Sequence, residues 1–130
     1  MQPQNWEDKL ASVRYIVSDL EETIAFYRDH LGFAVDLQPG PGFAALSRDD
    51  LRLFLNVPGA GGAGTAGGRP EPGGWNRFQI ETHDLDTRTA QLRSAGVTLR
   101  GGIVEGKGGR QVLAEDPSGN VVELFEPAER

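Results

Sequence analysis

The order of apolar and polar positions along the chain predicts one supersecondary unit at its start. Residues 10–17 are apolar and β-branched and indicate a strand, whereas residues 21–33 place side chains from Ile24 to Leu31 at helical spacing. Asp19 is positioned to cap the start of this helix, and Gly32 marks its end. Three shorter strand patterns follow, at residues 33–38, 42–48 and 51–57. The predicted order is therefore strand, helix, strand, strand, strand.

A stretch dominated by glycine and proline, residues 58–74, separates this unit from a second one. Its composition is typical of a flexible linker. A phosphate-binding loop is not supported, because no Lys-Ser/Thr pair and no helix start follow the glycines. After the linker the pattern repeats, with a strand, a helix capped by Asp84 and three further strand patterns. These lie at residues 77–83, 85–97, 97–104, 110–115 and 120–125.

The two halves match residue by residue. Asp19 and Leu20 recur as Asp84 and Leu85, and Arg28 recurs as Arg93 at the same offset. Such a repeat indicates that one supersecondary unit was used twice. We therefore expect a single domain over residues 1–130. Its parts are a first module at 10–57, the linker at 58–74 and a second module at 75–127.

Composition and charge narrow the function classes. The net charge of −6 and the scattered Lys and Arg argue against a nucleic-acid partner. No apolar run reaches the roughly 18–20 residues of a membrane helix, so we expect no membrane partner. The first residues show no signal-peptide pattern, and the chain has no cysteine. We therefore expect a cytoplasmic protein without disulfides or thiolate metal sites.

Two segments carry a family resemblance that covers nearly the whole chain. The segment SDLEETIAFYRDHLGF at 18–33 and the segment EDPSGNVVELFEP at 115–127 resemble the vicinal oxygen chelate superfamily. That superfamily includes glyoxalases, bleomycin-resistance proteins and extradiol dioxygenases. The resemblance implies an α+β fold of two βαβββ modules that form a curled mixed sheet, or cup. The helices pack outside the cup, and the ligand and any metal lie inside it.

The resemblance also implies where a metal ligand would stand in each module. These positions fall on Ser12, Phe54, Arg77 and Glu123. Only Glu123 can coordinate a metal ion, and a permanently cationic arginine repels one. A shift of two residues offers Gln79 in place of Arg77, which still leaves too few ligands. We therefore expect no metal, and an ion pair between Arg77 and Glu123, facing each other across the cup, in its place.

Strand parity selects the side chains that we expect to line the cup, since alternate residues point to opposite faces. Aromatic groups with a few polar groups are typical of a small-molecule pocket, and the arginines suggest an anionic or carbonyl-bearing ligand. Trp75 is expected to act as a lid or as an anchor at a subunit contact, or simply to pack. The predicted ligand-binding residues are Arg52, Phe54, Asn56, Trp75, Arg77, Gln79, Gln111 and Glu123, with Arg14, Asn76, Glu81 and Phe125 as further cup candidates.

Two functions remain open from the sequence. The first is a small-molecule-binding protein without a cofactor, which resembles the bleomycin-resistance branch and is expected to be a homodimer. The second is an enzyme of the glyoxalase type, either a lyase, isomerase or dioxygenase with atypical divalent-metal ligands or a metal-free isomerase. Glu123 would be the catalytic base of the metal-free isomerase. A neighbouring Arg77 would stabilise the charged carboxylate and weaken that base.

Overall fold

The computed structural model describes residues 11–60 and 66–128. The start of the first predicted strand at residue 10 and the centre of the predicted linker lie outside these ranges. Each half has the predicted order of elements. The first half contains β1 (Ser12–Ile16), α1 (Leu20–Leu31), β2 (Ala34–Gly40), β3 (Phe43–Arg48) and β4 (Leu51–Asn56). The second half contains β5 (Arg77–Glu81), α2 (Leu85–Ser94), β6 (Val104–Glu105), β7 (Gly109–Glu115) and β8 (Val121–Pro127).

The strands form two mixed sheets of four strands, in the orders β1-β4-β3-β2 and β5-β8-β7-β6. In each sheet the first and last strands of the module pair in parallel, and the remaining pairs are antiparallel. Each helix packs on the sheet of its own half. The predicted α+β fold of two βαβββ modules is confirmed. The two sheets stay separate within the chain and do not close into one.

The helix boundaries follow from local chemistry. Asp19 Oδ1 accepts a hydrogen bond from the Glu22 amide at 3.0 Å, and Asp84 Oδ1 accepts one from the Thr87 amide at 3.1 Å. Both carboxylates thus satisfy amides that a helix start leaves without an intrahelical partner. At the end of α1, Gly32 has φ = 74°, a left-handed conformation that glycine adopts without strain. Neither helix in the described residues is long and apolar enough to cross a membrane.

The strand expected at residues 97–104 forms only in part. The structure has an isolated bridge between Leu99 and Ala114, followed later by the two-residue β6. Between them Gly101 takes φ = 77°, which bends the backbone out of an extended path. The apolar residues of this segment were read as a continuous strand, but the two glycines at 101–102 break it.

The modules pack together through the apolar, helix-covered faces of their sheets. The ring of Phe78 on β5 lies 5.6 Å from that of Tyr15 on β1, 6.3 Å from Tyr27 and 6.1 Å from Phe33, measured between centroids. Buried side chains from both halves belong to one hydrophobic cluster. Because side chains alternate along a strand, the polar sides of both sheets are turned away from this contact.

The loop between β7 and β8 adds polar contacts to the apolar packing. Asp116 Oδ2 accepts a hydrogen bond from the Tyr27 hydroxyl at 2.8 Å, and Asn120 Nδ2 donates to the Ile16 carbonyl at 2.8 Å. Burial raises the pKa of Asp116, and burial beside that carboxylate raises the pKa of Tyr27 well above its usual value. Burial also raises the pKa of Tyr15 to about 12. The second module therefore holds α1 through a buried hydrogen bond and β1 through a partly buried one.

Candidate functional site

The polar side of the second sheet carries a hydrogen-bonded carboxylate. We call this surface the second polar face; it consists of Arg77, Gln79, Gln111 and Glu123. Arg77 Nε donates to Glu123 Oε1 at 2.9 Å, and Gln79 Nε2 donates to Glu123 Oε2 at 2.7 Å. Only 8% of the surface of Glu123 is exposed, so its charge is compensated by these two donors rather than by solvent.

The ion pair expected between Arg77 and Glu123 is present, but its predicted geometry is wrong. Gln79 stands directly opposite Glu123 in the parallel pairing of β5 and β8, and Arg77 stands opposite Val121. Arg77 therefore reaches Glu123 diagonally on the neighbouring strand, not across a cup. Both carboxylate oxygens are engaged by side chains of one sheet.

The polar side of the first sheet is aromatic and cationic. We call it the first polar face; it consists of Arg14, Phe43, Arg52, Phe54 and Asn56. The guanidinium carbons of Arg14 and Arg52 lie 4.9 Å and 5.2 Å from the centroid of the Phe54 ring. The Phe43 ring meets the Phe54 ring edge-on at 5.6 Å. Cations near an aromatic ring at these distances interact favourably with it.

A buried amide positions Arg14. Its Nη1 donates to Asn56 Oδ1, and Asn56 Nδ2 donates to the Ala60 carbonyl at 3.4 Å. Asn56 is only 3% exposed. The side chain of Arg14 is thus held by a residue that is itself held by the backbone.

Equivalent register positions of the two modules carry different chemistry. Arg14 stands opposite Phe54 in the pairing of β1 with β4, and Gln79 stands opposite Glu123 in the pairing of β5 with β8. The repeat thus places a cation–aromatic pair on one sheet where it places an amide–carboxylate pair on the other.

The remaining predicted site residues lie at the margins of the second polar face. Gln111 pairs with Phe125 across β7 and β8, so it faces the same side as Glu123. Trp75 is 69% exposed and lies with its ring 4.5 Å from the guanidinium carbon of Arg100. The structure thus gathers the predicted residues on two separate polar faces rather than in one cup.

The sequence does not predict the role of Arg100, which holds distant parts of the chain together by hydrogen bonds. Its guanidinium donates to Glu115 Oε2 at 2.7 Å, to the Gly74 carbonyl at 3.0 Å and to the Gly119 carbonyl at 3.1 Å. These bonds fix the chain just before β5 against the turn before β8. No local motif marks such a residue, because its partners lie in two other segments of the chain, at Gly74 and at residues 115–119.

A cleft of about 540 Å³ opens on the helix side of the molecule, away from both polar faces. It lies between the end of α1 and the start of α2, and its lining includes His30, Arg48 and His83. Arg48 in this lining already has a local partner, since its Nε donates to the Leu31 carbonyl at 2.9 Å. The aromatic and charged groups gathered on the polar faces make those faces the better candidate site.

Comparison with known families agrees with this architecture. The family model of the Glyoxalase/Bleomycin resistance protein/Dioxygenase superfamily matches residues 9–124, which is most of the chain. The chain belongs to this superfamily. None of the curated proteins compared with the chain matches it in sequence.

Solved structures of superfamily proteins superpose along nearly the whole chain. A glyoxalase/bleomycin resistance/dioxygenase superfamily member from Sphaerobacter thermophilus is 27% identical, with a TM-score of 0.73 and coverage of 94% of this chain and 99% of that one. TnmS3, an antibiotic binding protein from a Streptomyces species, is 28% identical, with a TM-score of 0.69 and coverage of 92% and 98%. Lactoylglutathione lyase from Agrobacterium tumefaciens is 21% identical, with a TM-score of 0.71 and coverage of 97% and 96%. At that identity, the likeness to the lyase shows the fold alone.

The residues at the superfamily's metal-ligand positions do not fit a divalent cation. Ser12 and Phe54 lie on the first sheet, and Arg77 and Glu123 lie on the second. Glu123 is the one strong oxygen ligand among them, and its two oxygens already accept hydrogen bonds. Within residues 11–60 and 66–128, no three His, Cys, Asp or Glu side chains gather closely enough to hold a metal ion.

Proposed function

We propose that this superfamily member is a small-molecule-binding protein that binds its ligand on the polar faces without a metal ion or other cofactor. The observation that carries the proposal is the engagement of Glu123 by Arg77 and Gln79. A cation and an amide occupy the place where an enzyme of the superfamily would hold its metal. Ligand binding requires neither a metal ion nor a free general base. At these positions the carboxylate of Glu123 is already hydrogen-bonded to Arg77 and Gln79.

The relative with a stated binding role supports binding over catalysis. TnmS3 is described as an antibiotic binding protein, and it is 28% identical over 92% of this chain. We therefore propose an organic ligand of the size of a natural product or drug. Its contacts would be the aromatic rings and arginines of the first polar face together with Gln79, Gln111 and the Arg77–Glu123 pair.

The assembly that completes the site is proposed to be a homodimer. On one chain, each polar face is turned away from the contact between the modules, so neither face covers the other. Two exposed apolar residues lie on these faces at the sheet margins: Leu37, 55% exposed and opposite Ala45, and Val104, 60% exposed and opposite Gln111. We propose that the first polar face of one copy meets the second polar face of another. A cytoplasmic location is part of the same proposal.

Metal content and ligand binding can be tested on the purified full chain. The protein is purified without chelators, its metals are counted by mass spectrometry, and thermal unfolding is followed with divalent metals alone and with organic ligands alone. We expect less than stoichiometric metal, no metal-dependent rise in unfolding temperature, and a rise with some organic ligands. One tightly bound Ni, Zn, Mn or Fe per chain would contradict the proposal and favour a metal-dependent lyase, isomerase or dioxygenase.

A further inference from the structure

The first polar face has two cations without described counter-charges. No carboxylate in residues 11–60 and 66–128 forms an ion pair with Arg14 or Arg52. Arg77, Arg100 and Arg110, in contrast, each pair with an acidic side chain of the second module. The two polar faces therefore differ in charge balance.

Arg14 and Arg52 approach the same aromatic ring. Both guanidinium carbons lie within 5.2 Å of the Phe54 centroid. Two positive charges held around one side chain repel each other, and this repulsion is weakly screened at low ionic strength. An anion bound at these guanidinium groups would reduce the repulsion and would accept charge-assisted hydrogen bonds.

Arg14 is prepared for such an anion by its contacts. A guanidinium has five N–H donors, and the bond of Arg14 to Asn56 uses one of them. Asn56 is buried and bonded to the Ala60 carbonyl, so the guanidinium is held in place before a ligand arrives. Less side-chain freedom is then lost on binding, which favours affinity.

The surroundings of the arginines also define the rest of the ligand. Phe54 and Phe43 form an aromatic surface next to the cations, and guanidinium planes stack on aromatic rings. On the second polar face the cation Arg77 is already neutralised by Glu123. An anionic end would therefore be attracted to the first polar face in preference to the second.

We propose that Arg14, Arg52 and Phe54 form the recognition site for an oxyanion carried on an aromatic body, such as an aryl carboxylate. This inference rests on the proposed small-molecule-binding function and adds the charge of the ligand and its orientation. The guanidinium groups bind the carboxylate, and the aromatic body lies against Phe43 and Phe54.

Three probes of one shape and different charge test the site: 2-naphthoate, 2-naphthamide and 2-(aminomethyl)naphthalene. Binding to the full-length protein is measured by titration calorimetry at low and high salt. We expect naphthoate to bind at least about tenfold more tightly than the amide, since charge-assisted hydrogen bonds are the stronger ones. The amine is expected to bind most weakly, and the preference for naphthoate should shrink as salt rises.

Variants assign the preference to residues. Arg14→Gln and Arg52→Gln are each expected to weaken naphthoate binding by about tenfold while changing amide binding little. Arg93→Gln is the matched control, because it removes the same charge from the exposed surface of α2. Circular dichroism of each variant verifies that it is folded.

The outcomes separate this inference from the proposed function. Equal binding of all three probes, insensitive to Arg14→Gln and Arg52→Gln, would overturn the anion site and leave small-molecule binding standing. The absence of naphthoate binding would overturn the anion site outright. If the double variant Arg14→Gln with Arg52→Gln dissociates into monomers but keeps full naphthoate affinity, the anion site is refuted and the arginines are assigned to the contact with a second copy of the chain. One bound metal per chain would overturn only the metal-free function.

Discussion

At the scale of single residues, Glu123 determines the charge balance of the second polar face. It is nearly buried, and its carboxylate depends on Arg77 and Gln79 for compensation. A buried carboxylate that loses its cation is costly, whereas removing both charges together costs less. The side chain of Arg77 is about one-third exposed, at 32%, so solvent reduces the effect.

The Arg77→Met variant is therefore expected to lower the free energy of unfolding by about 1–3 kcal/mol, because it leaves Glu123 with a single donor. Adding Glu123→Gln should restore part of this loss, since the uncompensated charge is then gone. Urea unfolding of both single variants and the double variant measures the coupling. Arg93→Met is the surface control, with an expected change within about 0.5 kcal/mol. Additive effects of the two substitutions would contradict the coupling.

The polar residues of this network could be predicted from the sequence, but their geometry could not. The alternation of Arg77 and Gln79 with Phe78 and Ile80 predicts a strand with one polar face, and the structure has that strand. The parallel pairing that sets Gln79 opposite Glu123 joins segments far apart in the chain. Non-local register of this kind leaves no local signal, which is why the pair was expected across a cup.

At the scale of elements, local signals predicted the helices best, and the loops least. Asp19 and Gly32 mark the ends of α1 because capping depends on residues a few positions apart. The turn before β8, residues 116–120, shows the limit of such local signals. Its contacts with α1, β1 and the chain before β5 were missed, because their partners lie in other parts of the sequence.

The hydrogen bond between Tyr27 on α1 and Asp116 in this loop predicts that the folded protein loses stability at alkaline pH. Because the pKa of Tyr27 is raised well above 10 in the folded protein, the stability it contributes is complete below about pH 10. Above that pH this contribution decreases, by up to ~1.4 kcal/mol per pH unit. The pKa of Asp116 is also raised by burial, so charging this carboxylate already opposes folding at neutral pH.

Tyr27→Phe should consequently be less stable than the parent protein at pH 8, by about 1 kcal/mol, since one buried hydrogen bond is lost. This difference in stability is expected to shrink between pH 10 and pH 11. The parent protein loses the contribution of Tyr27 in that range, whereas the phenylalanine of the variant has no proton to lose. Chemical unfolding of both proteins at pH 8, 9, 10 and 11 measures it. A difference that stays constant over this range would show that Tyr27 does not titrate with unfolding.

At the scale of the whole molecule, the arrangement of faces explains why the candidate site is open. The apolar faces of the two modules are buried against each other, where Phe78 packs against three aromatic side chains. The two polar faces are left on the outside of the single chain, although Glu123 itself is nearly buried within the second. The repeat in the sequence predicts two modules, but it does not state which faces they share.

The homodimer proposal makes the last prediction. If a second copy covers the polar faces, then Leu37→Lys combined with Val104→Lys places charges in the contact and opposes association. Both positions are exposed on the single chain, so the fold and its unfolding transition should be retained. Light scattering after size exclusion should then give the mass of one chain, where the parent protein gives the mass of two. Val35→Lys is the matched control, because Val35 is 39% exposed on the same strand but faces the helix side, opposite Leu46. An unchanged dimer in the double variant, or a parent protein that is already a monomer, would refute an assembly through the polar faces.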